Sequence, residues 1–305
     1  MTISRRDILK LGAGAAAGAM AATAHNAAAQ AAALISRSIP SSDERLPVVG
    51  IGTNRYRRGA EAEIAPLRET LKRFAAAGGK LIDTAPLYGS SEEVLGQLIA
   101  ELGIRDKLFL ATKVYSSGRE SGVEEMNDSF KRLRTDKIEL VQVHNLSDTA
   151  TQLATMREGK QSGRYRYVGV TTSRDAQYED MEAVLKKQPL DFVQVDYSID
   201  NRTAAERILP IALDRGVAVL INLPLGRARL FSAVRGKPLP AWAAEFDCQS
   251  WAQFFLKYVI GHPVVTCAIP GTRKPQHITD NLGAARGRLP DQATRRKMEQ
   301  FFETL

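Results

Sequence analysis

The chain has 305 residues, of which 44% are hydrophobic, and a formal net charge of +8 at pH 7. Its positive charges are spread along the sequence and form no block, which argues against nucleic-acid binding. The two cysteines, Cys248 and Cys267, lack the spacing of a metal site or a disulfide framework, so we expect buried free thiols.

The first 33 residues have the order of an export signal. A twin-arginine sequence, Ser4–Lys10, precedes an Ala- and Gly-rich run and a small-residue cleavage region at 27–31. The run is too weakly apolar for a membrane span, which needs about 20 strongly apolar residues, so we expect removal of the signal and no stable membrane insertion. The pattern predicts recognition by the twin-arginine translocation machinery, folding in the cytoplasm and a periplasmic location.

From Leu46 onward, short apolar runs alternate with amphipathic helical stretches. The predicted strands are 47–52, 80–85, 108–113, 138–144, 167–171, 192–197, 217–223 and 265–269. The predicted helices are 61–77, 91–102, 123–133, 149–160, 178–187, 204–215, 251–260 and 275–285, with a final helix over 292–305. Strands that are each followed by a helix form a parallel sheet with right-handed crossovers. We therefore predict an α/β fold, a single-domain (β/α)8 TIM barrel over residues 34–305.

An open doubly wound sheet is the alternative architecture. It would need a Gly-rich phosphate turn after its first strand, followed at once by a helix. The turn here, Gly50–Arg55, lacks the third glycine and the helix, which favours the barrel. A long connection at 226–249 separates the seventh strand from its helix, and such a length is typical of a functional loop.

Ionisable side chains lie at the ends of three successive predicted strands. Asp83 lies near the end of the second strand, Lys113 closes the third and His144 closes the fourth, while Tyr88 lies in the loop after Asp83. The carboxyl ends of the strands of a β/α barrel meet at one face, so we expect these four side chains to form one site.

This set of residues suits the reduction of a ketone or an aldehyde. Hydride delivered to the carbon builds negative charge on the oxygen, where a positioned acid gains on the order of 10²–10⁴ in rate. Lys113 lowers the pKa of Tyr88 by stabilising the phenolate, Asp83 holds Lys113 by an ion pair, and His144 orients the substrate oxygen. A Schiff-base aldolase with Lys113 as nucleophile is the weaker alternative, because Asp83 would keep that lysine protonated.

These motifs together resemble the aldo/keto reductase superfamily over residues 46–290. Asp83–Ala85 with Tyr88 is similar to the family's Asp/Tyr motif, Ala111–Lys113 to its lysine strand and Val143-His144 to its histidine strand. The resemblance implies a β/α barrel that binds a nicotinamide dinucleotide without a Rossmann domain and acts on a small carbonyl substrate. It also implies that the four residues form a catalytic tetrad with Tyr88 as the acid.

The same resemblance implies a set of cofactor contacts. Gln194 matches the glutamine that contacts the nicotinamide carboxamide, and Arg273 with Lys274 suits a 2′-phosphate, which favours NADP over NAD. The full predicted set is Thr53, Thr172, Gln194, Leu225, Gly226, Arg227, Thr272, Arg273, Lys274, His277, Asp280 and Asn281.

Several positions depart from the family's pattern. Thr171-Thr172 stands where many members have Ser-Asn, and Asn222 stands where many have a tyrosine that stacks on the nicotinamide. Gly271 and His277 replace a lysine and an arginine. Losing the aromatic face costs about 1 kcal/mol. We therefore expect the nicotinamide to be bound more loosely or held differently.

The export signal adds a second candidate function. Because the periplasm has no obvious supply of NADPH, a ligand-binding or redox-sensing barrel that retains its cofactor is the alternative to a reductase. We expect the substrate to meet Phe231, Trp242 and Phe246 in the strand-seven loop and Tyr115 after Lys113. Sugar, quinone and lipid carbonyls all fit that pattern.

Overall fold

A computed structural model describes residues 33–305 and contains a barrel of eight parallel strands. The strands of the described part are β1 (Ser36–Ser38), β2 (Arg45–Pro47), β3 (Ile51–Gly52), β4 (Leu81–Asp83), β5 (Phe109–Val114), β6 (Ile138–His144), β7 (Tyr165–Thr171), β8 (Phe192–Asp196), β9 (Ala218–Asn222) and β10 (Val265–Ala268). From β3 to β10 each strand pairs with the next, and the bridges Val49–Ala268 and Gly52–Gly271 close the ring. The predicted single-domain (β/α)8 barrel is confirmed.

The helices follow the strands as the apolar periodicity predicts. They are α1 (Glu61–Ala76), α2 (Ser91–Leu102), α3 (Arg119–Leu133), α4 (Thr149–Gln161), α5 (Tyr178–Lys187), α6 (Thr203–Arg207), α7 (Leu209–Asp214), α8 (Arg229–Ala233), α9 (Trp251–Ile260), α10 (Pro275–Gly283) and α11 (Gln292–Glu303). The helix predicted over 204–215 is divided at Ile208, because Pro210 in the first turn of α7 cannot donate a backbone hydrogen bond. The long connection 226–249 contains α8 and two short 3-10 segments.

A hairpin that the sequence did not predict closes the amino end of the barrel. Strands β1 and β2 pair antiparallel, and Ile39 and Leu46 join the cluster of side chains that fills the barrel interior. Arg37 on β1 donates to the carbonyl oxygens of Ile260, at 2.7 Å, and His262, at 2.8 Å. The hairpin therefore seals this end with both apolar and polar contacts.

Alternation along the barrel strands determines which side chains reach the active end. The interior cluster includes Leu81, Phe109, Leu140 and Phe192, near the starts of their strands. Side chains two or four positions further along a strand point to the same side. Asp83, Lys113, His144 and Gln194 therefore project inward at the carboxyl end.

The remaining predictions concern the cysteines, the membrane, metals and the export signal. Both cysteines are buried and free, as expected. No helix within residues 33–305 is long and apolar enough to cross a membrane. The same residues contain no group of three His, Cys, Asp or Glu side chains placed to hold a metal ion. The predicted export signal at 1–33 lies outside the described residues except for Ala33.

Candidate active site

A buried ion pair lies at the carboxyl end of the barrel. The Nζ of Lys113 donates to both carboxylate oxygens of Asp83 and to the carbonyl oxygen of Thr84, each at 2.8 Å. Asp83 and Lys113 are 3% and 1% exposed. Burial is the largest single influence and disfavours the ammonium, but Asp83 and Tyr88 together outweigh it, so the pKa of Lys113 lies above its usual value. The lysine is therefore held as a cation with all three of its hydrogens donated.

Tyr88 and His144 lie against this pair. The Nζ of Lys113 lies 5.0 Å from the centroid of the Tyr88 ring, and the Tyr88 and His144 rings meet edge to face at 5.9 Å. Tyr115 makes a similar contact with His144 at 6.0 Å. The structure thus brings together all four residues predicted from the strand ends.

The protonation states of these two rings follow from burial and from nearby charge. Burial, together with the charges of Lys113 and Arg174, lowers the pKa of His144 to about 3, so the imidazole is neutral at pH 7. Burial raises the pKa of Tyr88, and Lys113 opposes this shift without reversing it. We expected Lys113 to bring the phenol below its usual pKa, but desolvation is the larger influence. Tyr88 is therefore protonated at neutral pH, as a proton donor must be.

Thr53 and Thr172, two of the predicted cofactor contacts, use their hydroxyls within the protein. Thr53 is fully buried, and its hydroxyl donates to the carbonyl oxygen of Asp83 at 2.8 Å. The Thr172 hydroxyl donates to Gln177 at 2.5 Å. Thr53 thus supports the backbone of the ion pair, and the Thr172 hydroxyl is already engaged.

Gln194 is held by a residue that the sequence reasoning missed. Its Oε1 accepts a hydrogen bond from Nε2 of Gln142 at 2.8 Å. Gln142 lies on β6 in the same inward row as His144, so the alternation along that strand was the signal that could have found it.

The loop after β9 has a strained backbone. Leu223, Arg227 and Ala228 have φ values of 49°, 52° and 72°, a region that side chains other than glycine rarely adopt, and Gly226 lies there at 56°. Strain of this kind clusters at ligand sites. The N–H groups of Gly226 and Ala228 are donated within the loop, to the carbonyl oxygens of Leu223 and Leu225 at 2.9 and 3.0 Å, and free N–H groups in turns of this kind can bind an anion. Leu225, Gly226 and Arg227 were predicted to contact the cofactor, and this backbone is suited to a pyrophosphate.

The segment after β10 contains exposed cations and one carboxylate that already accepts hydrogen bonds within the protein. Arg273, Lys274 and His277 are exposed at the start of α10, and in the described part of the chain neither Arg273 nor Lys274 pairs with an acidic side chain. Asp280 instead accepts from the hydroxyl of Ser250, at 2.8 and 2.9 Å, and from Gln253. It therefore links α10 to the first turn of α9.

Thr272 and Asn281, the other predicted contacts in this segment, differ in exposure. The Thr272 hydroxyl accepts from the backbone N–H of Lys274 at 3.2 Å, and Asn281 is buried. Of the predicted set, the exposed side chains, and so those most open to a ligand, are Arg227, Arg273, Lys274 and His277.

Only two of the four aromatic side chains expected to contact the substrate are exposed. Phe231 and Tyr115 are 36% and 44% exposed, whereas Phe246 is buried and Trp242 packs edge to face on Phe301 at 5.7 Å. Trp242 and Phe246 therefore belong to an aromatic cluster of the barrel exterior. Beside the site, the sequence reasoning missed an exposed apolar side chain, Leu87, which is 51% exposed and next to Tyr88.

Comparison with known proteins identifies the family. The model of the aldo/keto reductase family matches residues 48–299, most of the chain. The chain belongs to the aldo/keto reductase family. Membership of this family confirms the prediction of an enzyme that reduces carbonyl groups with a nicotinamide cofactor.

Individual relatives agree with this assignment. The chain is 30% identical over 253 residues to the methylglyoxal reductase YeaE of Escherichia coli, covering 79% of this chain and 86% of that one. It is 36% identical over 180 residues to the aldo-keto reductase YhdN of Bacillus subtilis, an alignment that spans 53% of each protein. An aldo-keto reductase from Klebsiella pneumoniae in complex with NADPH has the same fold, with a TM-score of 0.76 and 24% identity over 89% of this chain and 96% of that one.

Proposed function

We propose that the protein reduces an aldehyde or ketone to an alcohol with NADPH, and that Tyr88 gives the proton. The observation that carries this proposal is the buried Asp83–Lys113 pair, whose ammonium lies 5.0 Å from the Tyr88 ring. Such a pair has little purpose for stability alone, because burying two charges costs several kcal/mol per ion before their attraction repays it.

Each of the four side chains has a distinct task in the proposed reaction. NADPH, when bound, supplies a hydride. Tyr88 donates its proton as negative charge builds on the carbonyl oxygen, and the ammonium of Lys113 stabilises the phenolate that remains. Asp83 keeps the lysine charged. His144 is neutral, so it can hydrogen-bond the carbonyl oxygen without adding a second cation to the site.

The preference for NADP over NAD rests on Arg273 and Lys274. Both cations are exposed beside the start of α10, and neither is neutralised by a described acidic side chain. A 2′-phosphate would form charge-assisted hydrogen bonds with them. The strained loop at 223–228 would hold the pyrophosphate through the backbone N–H groups that are not donated within the loop, with the exposed Arg227 side chain beside it.

The Schiff-base aldolase is disfavoured by the geometry of Lys113. A nucleophilic lysine needs an unprotonated amine, which requires a lowered pKa. All three hydrogens of Lys113 are donated, two of them to Asp83, and its pKa is raised.

Cofactor titration and turnover together test the proposed reaction. Intrinsic fluorescence of the purified protein should be quenched by micromolar NADPH and less readily by NADH. Absorbance at the NADPH band should fall on addition of an aldehyde or ketone, and methylglyoxal is the first choice because a relative is named for reducing it. Binding of NADPH without turnover on any carbonyl would favour the ligand-binding or redox-sensing barrel.

We also propose that the chain is exported to the periplasm by the twin-arginine route. The support is the sequence Ser4–Lys10, followed by a small-residue run. Replacing Arg5 and Arg6 together by lysine should leave the protein in the cytoplasm, as fractionation would measure. Export of the doubly substituted chain would refute the route.

A further inference from the structure

The amide of Asn222 has one satisfied and one unsatisfied end. Asn222 ends β9, in register with Asp196 of β8 and on the same side of its strand as the interior residue Leu220. Its Nδ2 donates to the carbonyl oxygen of Thr172 at 3.1 Å. Its Oδ1 is buried and accepts no hydrogen bond from any residue of the described part.

The orientation of this amide is fixed by its one contact. Turning the amide over would bring Oδ1 against the carbonyl oxygen of Thr172, so that two acceptors would face each other. A buried acceptor without a partner destabilises a fold and calls for an explanation, such as a ligand that completes it. The protein therefore maintains a free acceptor at the carboxyl end of the barrel.

The nicotinamide has to lie on the side of the barrel mouth that contains Asn222. Tyr88 and His144 come from the β4 and β6 side, and the carbonyl must be held between them and the ring that delivers hydride. The polar groups facing them lie on or just after β7 to β9, namely Thr172, Gln194, Asp196 and Asn222. The Asp196 carboxylate is tied to the loop after β8, where its Oδ2 accepts from Asn201 at 3.2 Å, while its Oδ1 has no described partner. The Thr172 hydroxyl and the Gln194 Oε1 already have partners.

We propose that Asn222 accepts a hydrogen bond from the carboxamide NH2 group of the nicotinamide and so positions the ring. A primary carboxamide offers two N–H donors, which need acceptors in the protein. The two departures from the family pattern, at Thr172 and Asn222, then compensate for each other. The amide that many members have at the position of Thr172 is supplied by Asn222, which is hydrogen-bonded to Thr172 itself.

Asn222 is thus a positioning residue, and the inference rests on the proposed function because it requires a bound nicotinamide. It predicts that recognition of the carboxamide depends on Asn222, and that an asparagine introduced at position 172 can take over this role. It also predicts that a tyrosine at position 222 restores a stacking face but loses the acceptor.

The test compares two cofactors that differ only at the carboxamide. In the 3-acetylpyridine analogue of NADP⁺ a methyl ketone replaces the amide, so no N–H donor is present. Fluorescence titration of the full-length protein gives the ratio of the two dissociation constants. We expect this preference for NADP⁺ to fall about fivefold in Asn222→Ala and in Asn222→Tyr, the factor that one neutral hydrogen bond contributes.

Two further variants complete the design. Adding Thr172→Asn to Asn222→Tyr should restore the preference, whereas Asn127→Ala, on the distant helix α3, should leave it unchanged. An equal preference in wild type and in both Asn222 variants would overturn the inference while leaving the reductase intact. Failure of the wild type to bind either cofactor would instead overturn the proposed function, and this inference with it.

Discussion

The two ends of the barrel treat their buried polar groups in opposite ways. At the amino end, Glu139 accepts from the backbone N–H of Leu110 at 2.7 Å and pairs with Arg105 at 2.9 Å. Asp191 repeats the arrangement, accepting from the N–H of Val168 at 2.9 Å and pairing with Lys160. These carboxylates join neighbouring strands and are fully used in doing so.

At the carboxyl end, buried polar atoms are left without protein partners and the backbone is strained. The buried atoms without a described partner include Gln142 Oε1, His144 Nδ1, Asp196 Oδ1 and Asn222 Oδ1. Six of the eight non-glycine residues with positive φ in residues 33–305 lie in the loops after β6 and β9. One end is built for stability, while the other keeps strain and free hydrogen-bonding groups for a ligand.

Lys113→Met should have the largest effect, because it damages both stability and activity. It leaves the Asp83 carboxylate buried without its partner, which typically costs about 3–5 kcal/mol, and it removes the cation beside Tyr88. Chemical denaturation should show this loss, partly relieved when Asp83→Asn is added. Lys257→Met is the matched control, since Lys257 is equally buried but donates only to carbonyl oxygens, and it should keep its turnover. Additive losses in the double variant would argue against the pair.

Removing Arg273 and Lys274 together should weaken NADPH binding much more than NADH binding. Charge-assisted hydrogen bonds to a phosphate contribute roughly 1.5–3 kcal/mol, and only NADPH has the 2′-phosphate. Fluorescence titration at matched salt measures both affinities. The charge-matched control is Lys107→Ala with Lys137→Ala, two exposed cations of the amino end, which should change neither affinity. Equal weakening of both cofactors would refute the assignment to the 2′-phosphate.

Glu139→Gln should destabilise the amino end and spare the chemistry. The amide oxygen can still accept from the Leu110 N–H, but the amide NH2 group replaces the carboxylate oxygen that accepts from Arg105 at 2.9 Å. A donor then faces a donor and the charge of the pair is lost, at a cost of about 1–3 kcal/mol. Denaturation should show this loss, and turnover per folded molecule should stay at the wild-type value. A large fall in turnover would contradict the assignment of stability to the amino end and of function to the carboxyl end.

The neutral state of His144 should give the smallest effect, a pH dependence of stability. The pKa of His144 is about 3 in the folded protein and about 6.5 in an unfolded chain. As pH falls below 6.5 the unfolded state takes up the proton first, so stability is lost on acidification toward pH 3. At pH 5.5 the loss amounts to roughly 1 kcal/mol. His144→Asn should lose correspondingly less between pH 7.5 and pH 5.5 in thermal melts. Identical losses in both proteins would contradict a neutral, buried imidazole.

The sequence predicted the site best where a single strand has both an apolar pattern and an ionisable side chain at its end. Lys113 was visible because a lysine that closes an apolar strand needs a buried partner, and Asp83 lay at the end of the neighbouring strand. The hairpin at 36–47 was not predicted because only Ile39 and Leu46 of its residues join the interior cluster, and two apolar positions do not define a strand period. The partner of Asp280 lies in another segment and the partner of Thr172 in a local turn, so spacing along one strand or helix could predict neither.

Replacing Tyr88 by phenylalanine tests most directly the claim that the carboxyl end is a proton-donating site. The ring's contacts with Lys113 and His144 remain, and only the hydroxyl is lost. We predict that turnover with NADPH and a reducible carbonyl falls by about 10² or more, while the dissociation constant of NADPH is unchanged. Tyr56→Phe, which removes a buried hydroxyl without a described partner, should keep full turnover. Wild-type turnover in Tyr88→Phe would contradict the account.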